Sequence, residues 1–378
     1  MFKQMIPWLF LMFVVGCSSD SSSPEIPEQP YEPLAPVNPQ PSGDRLFGIT
    51  ISESSNGFLA DFEVAQQAGV QVVELPLNWD EVEIADGVYE DPNGVLEAME
   101  FYKVNGISIL LTFAVINTVE TTVPAHLAAY DWNAPELITA FNNMTDWVFA
   151  QLPAELQVVG VAVGNEVNFV LEGVQWGQYG EFLDAASDHL HAIDADLKVG
   201  VKTTVLNGLF SNDGNNIKTL NENTDVVMLN YYLQDNQYQV RAPNLVHNDF
   251  IHIASDFLYR EIWMTEVGYQ SGSEHCQSSE DQQAAFFHEL FTAFDTQKDF
   301  MSLLLVDWLH DASEAQLDEW MEYYGVPDPA FREFLGTLGL RTNDGQDKDA
   351  WVQLKAETGP RGWVQSFPAT VKGDLDND

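Results

Sequence analysis

Two glutamates in this 378-residue chain stand where acid–base chemistry could be done. One closes the run Val161–Ala162–Val163–Gly164–Asn165–Glu166–Val167–Asn168, and the other lies in Trp263–Met264–Thr265–Glu266–Val267–Gly268–Tyr269. Each follows a short apolar stretch, so each falls at a strand end. Two carboxyl groups are enough to cleave a glycosidic bond: one protonates the departing oxygen, and the other attacks or stabilises the anomeric carbon. At a separation of ~5–5.5 Å the reaction proceeds with retention. The chemistry asks opposite things of the two groups. Glu166 must keep a proton near neutral pH, as an apolar wall or the charge of Glu266 would favour; Glu266 must stay ionised, as hydrogen-bond donors would favour. With 58 Asp and Glu in the chain, one glutamate at a strand end means little. The joint pattern carries the argument.

The elements that must position this pair repeat along the chain. From Arg45 onward, apolar runs at Leu46–Ile51, Val70–Leu77, Ile107–Ala114, Val158–Val163, Leu197–Thr203, Val226–Tyr232, Ile262–Thr265 and Leu303–Leu309 read as strands buried on both faces. Between them lie helix-like stretches: Phe58–Ala68, Val95–Val104, Pro135–Gln151, Gly180–Ile193 and Asp281–Phe294. Helix-stop signals at Ala68–Gly69 and Asn105–Gly106 precede the second and third strands. This alternation predicts an α/β fold, a single (β/α)8 TIM barrel, with a doubly wound sheet as the alternative. Gly48–Ile49–Thr50–Ile51–Ser52 after the first strand start is not a phosphate loop, which counts against a dinucleotide fold. A Gly-x-Ser-x-Gly elbow is also absent from the sequence, which counts against an esterase. In a barrel, chemistry belongs at the C-terminal strand ends, where strands four and seven face each other across the mouth.

Asn165–Glu166 after strand four and Glu266 after strand seven resemble the signature of glycoside hydrolase clan A, the retaining (β/α)8-barrel glycosidases. The resemblance covers residues 45–355. It implies that Glu166 is the acid/base and Glu266 the nucleophile, with the Asn165 amide on the sugar 2-hydroxyl. It also implies that Tyr231 or Tyr232, closing strand six, keeps the nucleophile ionised, and that Trp308, at strand eight, is a sugar-stacking platform. One feature departs from the pattern. Many clan members carry an arginine near the end of strand two, whereas Val72–Val73–Glu74–Leu75–Pro76–Leu77 holds none. Within the clan, Ala162–Val163–Gly164–Asn165–Glu166–Val167 resembles family 17 β-1,3-glucanases. Asn230–Tyr231–Tyr232 and the closing segment Gly339–Leu340–Arg341, Asp344–Gly345 and Ala350–Trp351 look more like family 53 endo-β-1,4-galactanases.

Other strand-end residues are candidates for sugar contacts: Glu53 after strand one, Asn78 and Trp79 after strand two, and Asn117 after strand three. Trp79 could stack on a pyranose face, with a core tryptophan as the competing reading. Neither a metal site nor a cofactor is expected.

The expected organisation is a signal peptide at 1–16, a lipidated cysteine and Ser/Pro-rich linker at 17–44, the barrel at 45–360, and an acidic tail at 361–378. Lys3 followed by the apolar run from Ile6 to Val15 reads as an export signal. Val14–Val15–Gly16–Cys17 resembles the bacterial lipoprotein box, which implies lipidation of Cys17 and, with Ser18 next, the outer membrane. Pro24, Pro27, Pro30, Pro33, Pro36 and Pro39 recur at the interval of a polyproline II helix, a semi-rigid spacer. With Cys17 acylated, Cys276 is left as a lone thiol and no intrachain disulfide can form. The net charge of −43 excludes a nucleic-acid groove or a polybasic membrane patch. With 12% aromatic residues the chain is not a disordered acidic one.

The expected function is a monomeric retaining glycoside hydrolase on a β-glucan or β-galactan, endo-acting, by double displacement. Two alternatives remain: a catalytically silent glycan-binding lipoprotein on the same barrel, and a transglycosylase using the same two glutamates.

Overall fold

The computed structural model describes residues 30–258 and 260–364. Cys17, the signal segment and the acidic tail beyond 364 lie outside the described residues. Eight parallel strands fall on the expected apolar runs: β1 (Leu46–Ile49), β2 (Val72–Asn78), β3 (Ser108–Asn117), β4 (Val158–Asn165), β5 (Lys198–Gly200, continued by Lys202–Thr204), β6 (Val227–Tyr232), β7 (Ile262–Gly268) and β8 (Met301–Val306). The first half of β5 pairs with β4 and the second half with β6, so the sheet closes on itself. β1 pairs with β8 in register Leu46 to Leu303.

Helices cover the outside: α1 (Phe58–Gln67), α2 (Val95–Val104), α3 (Pro135–Gln151), α4 (Gln175–Ile193), α5 (Gly214–Leu220), α6 (Val246–Asp256) and α7 (Glu280–Thr296). Two more, α8 (Glu314–Tyr324) and α9 (Pro329–Gly336), form an insertion after β8, before α10 (Asp349–Arg361) completes the ring. Among the described residues no helix is long and apolar enough to cross a membrane.

Strand alternation divides the side chains into two sets. Outward residues such as Phe47, Ile109, Val161 and Leu229 join the helices in the main core. Inward residues at the lower levels, Val72, Leu110, Ala162, Met228, Trp263, Leu303 and Leu305, make a separate apolar plug. Two residues further along the same parity the inward positions become polar: Glu74 above Val72, Thr112 above Leu110, Asn230 above Met228 and Asp307 above Leu305. The plug therefore serves as the dry floor of a polar mouth.

Trp263 fits that floor because Gly160 faces it. A Cβ on Gly160 would lie 2.6 Å from Trp263 Cζ3 and 2.7 Å from the Lys198 carbonyl oxygen. Gly160→Ala should therefore destabilise the barrel by about 1–3 kcal/mol through overpacking. The check is a lowered urea midpoint at unchanged m-value; an unmoved midpoint would show slack in the floor.

At the opposite end the chain's entry and exit are tied together. Arg45 and Arg361 share Asp295 at 2.9 and 2.8 Å, and Trp363, fully buried, donates to the Arg45 carbonyl at 3.0 Å. Within the proline-rich segment, Leu34 exchanges two hydrogen bonds with the Gln353 side chain, at 2.7 and 3.0 Å. Leu34 thus lies against α10.

Candidate active site

The mouth holds a cavity of about 490 Å³, within the range that accommodates a drug-sized ligand. Glu166 and Glu266 both line it. At the end of β4, Gly164 and Glu166 take left-handed backbone (φ 88° and 50°), a sharp turn that ends the strand at the glutamate. On β7, strict alternation from inward Trp263 would turn Glu266 outward. A register shift between Met264 and Val267 adds a residue at this point, and Glu266 comes to lie opposite Asn230 and to face the cavity.

The two carboxyls have different surroundings. Glu166 is 8% exposed and accepts from Asn230 Nδ2 at 3.1 Å. Burial first, and then the charge of Glu266, raise its pKa to about 7. Glu266 is met by two donors: the Lys202 ammonium at Oε1, and the Tyr232 hydroxyl at Oε2, 2.8 Å away. Lys202 is 1% exposed, and its Nζ also reaches Glu74 Oε1 at 2.7 Å. Burial works against the ammonium, but the attraction of Glu266 and Glu74 outweighs it, so the Lys202 pKa is raised and the charge is held. Glu74, which also accepts from Thr112 at 2.7 Å, has its own pKa raised by burial, against the pull of Lys202.

Asp307 completes the group. Its Oδ2 lies 2.9 Å from the Tyr232 hydroxyl and its Oδ1 accepts from Thr50 at 2.5 Å. Burial, reinforced by the Glu266 charge, pushes Asp307 up to about 8. The Tyr232 hydroxyl thus stands between the Glu266 and Asp307 carboxyls, within hydrogen-bond reach of both.

The sequence candidates divide clearly. Asn165, Asn117, Tyr232 and Trp308 line the cavity with the two glutamates. The Asn165 amide accepts from Asn230 at 3.3 Å and donates to Asn117 at 3.4 Å; the Trp308 indole N–H has no partner among the described residues. Four candidates are not in the wall. Tyr231, one residue out of parity with Tyr232, points into the outer core and donates to Asp249 at 2.8 Å. Trp79 is fully buried, edge-on to Phe141 at 5.5 Å, with its N–H on Glu83; it is a core residue because it opens a short helix beneath the loop. Asn78 stands behind the wall and accepts from Asn117 at 3.2 Å. Glu53 is exposed outside the cavity.

The residues that sequence reasoning missed are Lys202, Glu74, Asn230, Thr50 and Asp307, together with the apolar wall from the β8 insertion: Tyr324, Val326, Phe331, Phe334, Leu335 and Leu338. Lys202 supplies the cation absent from the end of strand two, from the far side of the barrel. A second titratable group, Glu83–Asp86–His126, lies outside the mouth, with His126 Nε2 3.4 Å from Glu83.

A closed parallel barrel ringed by helices defines the fold class, and the solved structures similar to this chain share that fold. The chain is similar to a family 39 glycoside hydrolase from Bacteroides cellulosilyticus WH2, at 14% identity and TM-score 0.59, over 84% of this chain and 64% of that one. It is similar to an exo-β-1,4-mannosidase from Opitutaceae bacterium strain TAV5, at 13% identity and TM-score 0.65, over 84% and 59%. A GH5_18 protein from Streptomyces cattleya aligns at 16% identity and TM-score 0.64, over 88% and 82%. The chain thus spans 64% and 59% of the length of the first two. No family model matches the sequence, and no curated protein matches it. The fold expected from the clan A resemblance is therefore the fold of glycoside hydrolases from several families.

Proposed function

We propose that this chain is a retaining glycosidase acting on β-linked poly- or oligosaccharide, a β-glucan or β-galactan, by double displacement. The observation that supports it best is the opposite setting of two glutamates in one cavity: Glu166 buried with its pKa raised to about 7, Glu266 against Lys202 and Tyr232. A Glu266 oxygen attacks the anomeric carbon as the bond to the leaving oxygen breaks, and that oxygen takes the Glu166 proton. Glu166, now ionised, removes a proton from water; the hydroxyl adds to the anomeric carbon and Glu266 departs as carboxylate. A sugar hydroxyl in place of water gives transglycosylation. The Trp308 ring and the Asn165 amide line the same cavity and are available to a sugar. The enzyme is taken to be tethered at the outer membrane through lipid on Cys17, as a monomer that needs no cofactor.

The test is turnover of a β-glycan panel, with the anomer of the first product read by NMR before mutarotation. Retention supports the reading; inversion, or inertness toward every glycan, overturns it. The pH profile adds a second check. Glu166 must be protonated in the first step, so kcat/KM should fall as pH rises through about 7, by about tenfold per unit beyond it. A limb that survives Glu166→Gln belongs to another group.

A further inference from the structure

The α8–α9 insertion is fixed to both sides of the mouth. At one end, Glu333 on α9 accepts from the backbone N–H groups of Glu274, His275 and Cys276 in the loop after β7, at 2.9, 2.6 and 2.7 Å. Beside it, Trp320 on α8 packs on Trp308 with ring centroids 5.0 Å apart. At the other end, the Tyr323 hydroxyl donates to the Asn117 carbonyl at 2.6 Å, at the end of β3. The Arg332 guanidinium, bonded to Glu314 and Asp318 at 2.7 and 2.8 Å, ties the two helices together. The hairpin therefore crosses the mouth from strands seven and eight to strand three.

This chord divides the rim. On one side lie the ends of β1 and β2, which contribute Thr50, Glu74 and the exposed Pro76 to the wall. On the other side lie the ends of β4, β5 and β6, where Phe169, Leu206, Asn207 and Gln234 form the lip; Phe169 is 47% exposed. The lip is most exposed at Phe169 and Asn207, after strands four and five, while beyond strand six Tyr238 packs on Phe331 and Phe334 at 5.0 and 5.9 Å. Glu166 ends strand four, so the departing oxygen it protonates must leave into the open arc after strands four and five. The sugar under attack then sits beneath the hairpin, against Tyr324, Phe331 and Phe334.

We propose that the enzyme is exo-acting from the non-reducing end: the α8–α9 hairpin blocks the space beyond the glycone, and the aglycone leaves toward strands four and five. The internal cut expected from the sequence needs a groove open at both ends, and the hairpin, anchored by Tyr323 on Asn117, spans one of them. This inference rests on the glycosidase reading, because Glu166 as the acid sets the direction of departure.

The experiment uses β-gluco- and β-galacto-oligosaccharides with a fluorophore at the reducing end, plain or capped by a bulky ether on the non-reducing terminal sugar. The expected result is stepwise shortening with the label on every intermediate, and a loss of about 100-fold in kcat/KM on capping. Tyr323→Phe combined with Trp320→Ala should narrow that ratio. Internal cuts from the first time point, with polymer viscosity falling ahead of reducing-sugar release, overturn the proposal and leave the glycosidase reading standing. If nothing is turned over, calorimetry on the same oligosaccharides decides. Weaker binding of the capped set supports the blocked end while the chemistry fails, equal binding overturns it, and no binding of either set overturns both.

Discussion

Lys202→Met is expected to lose about 3–5 kcal/mol of stability at neutral pH, the cost of leaving buried charge uncompensated. Lys202 is 1% exposed and stands between Glu74 and Glu266. Methionine fills the volume of the stem but leaves two carboxylates facing each other with no cation. Glu74, already raised by burial, would lose the pull of Lys202 that opposes the rise. Stability held by such a group is fully present below the unfolded pKa and is lost as pH rises through the folded pKa. The deficit against wild type should therefore be wide near pH 7 and shrink toward about pH 4, which urea midpoints at the two pH values measure. An equal deficit at both would mean lost packing rather than lost charge. Activity should fall as well, because Glu266 loses the ammonium that holds its Oε1. Lys202→Arg keeps the charge but must fit a planar fork where a point charge sits, so it should recover only part of either loss.

Lys202 also marks the limit of what was legible in the sequence. The strand positions and the two glutamates could be read, because apolar runs and their final residues are local features. Parity inside a fully apolar strand is not local. Nothing in Leu229–Asn230–Tyr231–Tyr232 says which tyrosine faces inward, and the structure gives Tyr232 to Glu266 and Tyr231 to Asp249. A signal for Lys202 and Glu74 did exist. Each is a charge set inside a buried strand, in Val199–Gly200–Val201–Lys202–Thr203 and Val72–Val73–Glu74–Leu75, and buried charges need partners. Reading strand two only for a missing arginine passed over its glutamate. The α8–α9 hairpin was hidden for another reason: the stretch 313–340 was not read as helix, and its place over the mouth depends on contacts to Asn117 and residues 274–276, far away in sequence.

The scarcity of cations acquires a structural meaning here. Of 15 Lys and Arg, Arg45, Lys202, Lys348 and Arg361 are buried in ion pairs. Few remain for the surface, which leaves the exterior strongly acidic and well hydrated. The one cation in the mouth is already committed to Glu74 and Glu266. That arrangement suits a neutral glycan better than an anionic one, since no unpaired cation among the residues lining the cavity is left for a substrate carboxylate or sulfate.

Glu166→Gln and Glu266→Gln should separate by substrate. A saccharide leaving group departs as a poor alkoxide and depends on the acid, so Glu166→Gln should lower kcat/KM on oligosaccharides by about 10²–10⁴-fold. An aryl glycoside with an acidic phenol needs little help to depart. Its first step should survive in Glu166→Gln, while the second step, which needs the base, slows. The expected trace is a burst of phenol followed by slow turnover, and a small anionic nucleophile such as azide, which needs no base, should speed the slow phase. Glu266→Gln removes the group that forms the bond, so it should lose about 10⁴-fold or more on both substrates with no burst. Asn230 can donate to an oxygen of the side chain at 166 in either variant, and glutamine keeps the shape of both side chains, so each fold should stand. A burst in Glu266→Gln, or equal losses on aryl and saccharide substrates in Glu166→Gln, would reverse or remove the assigned roles.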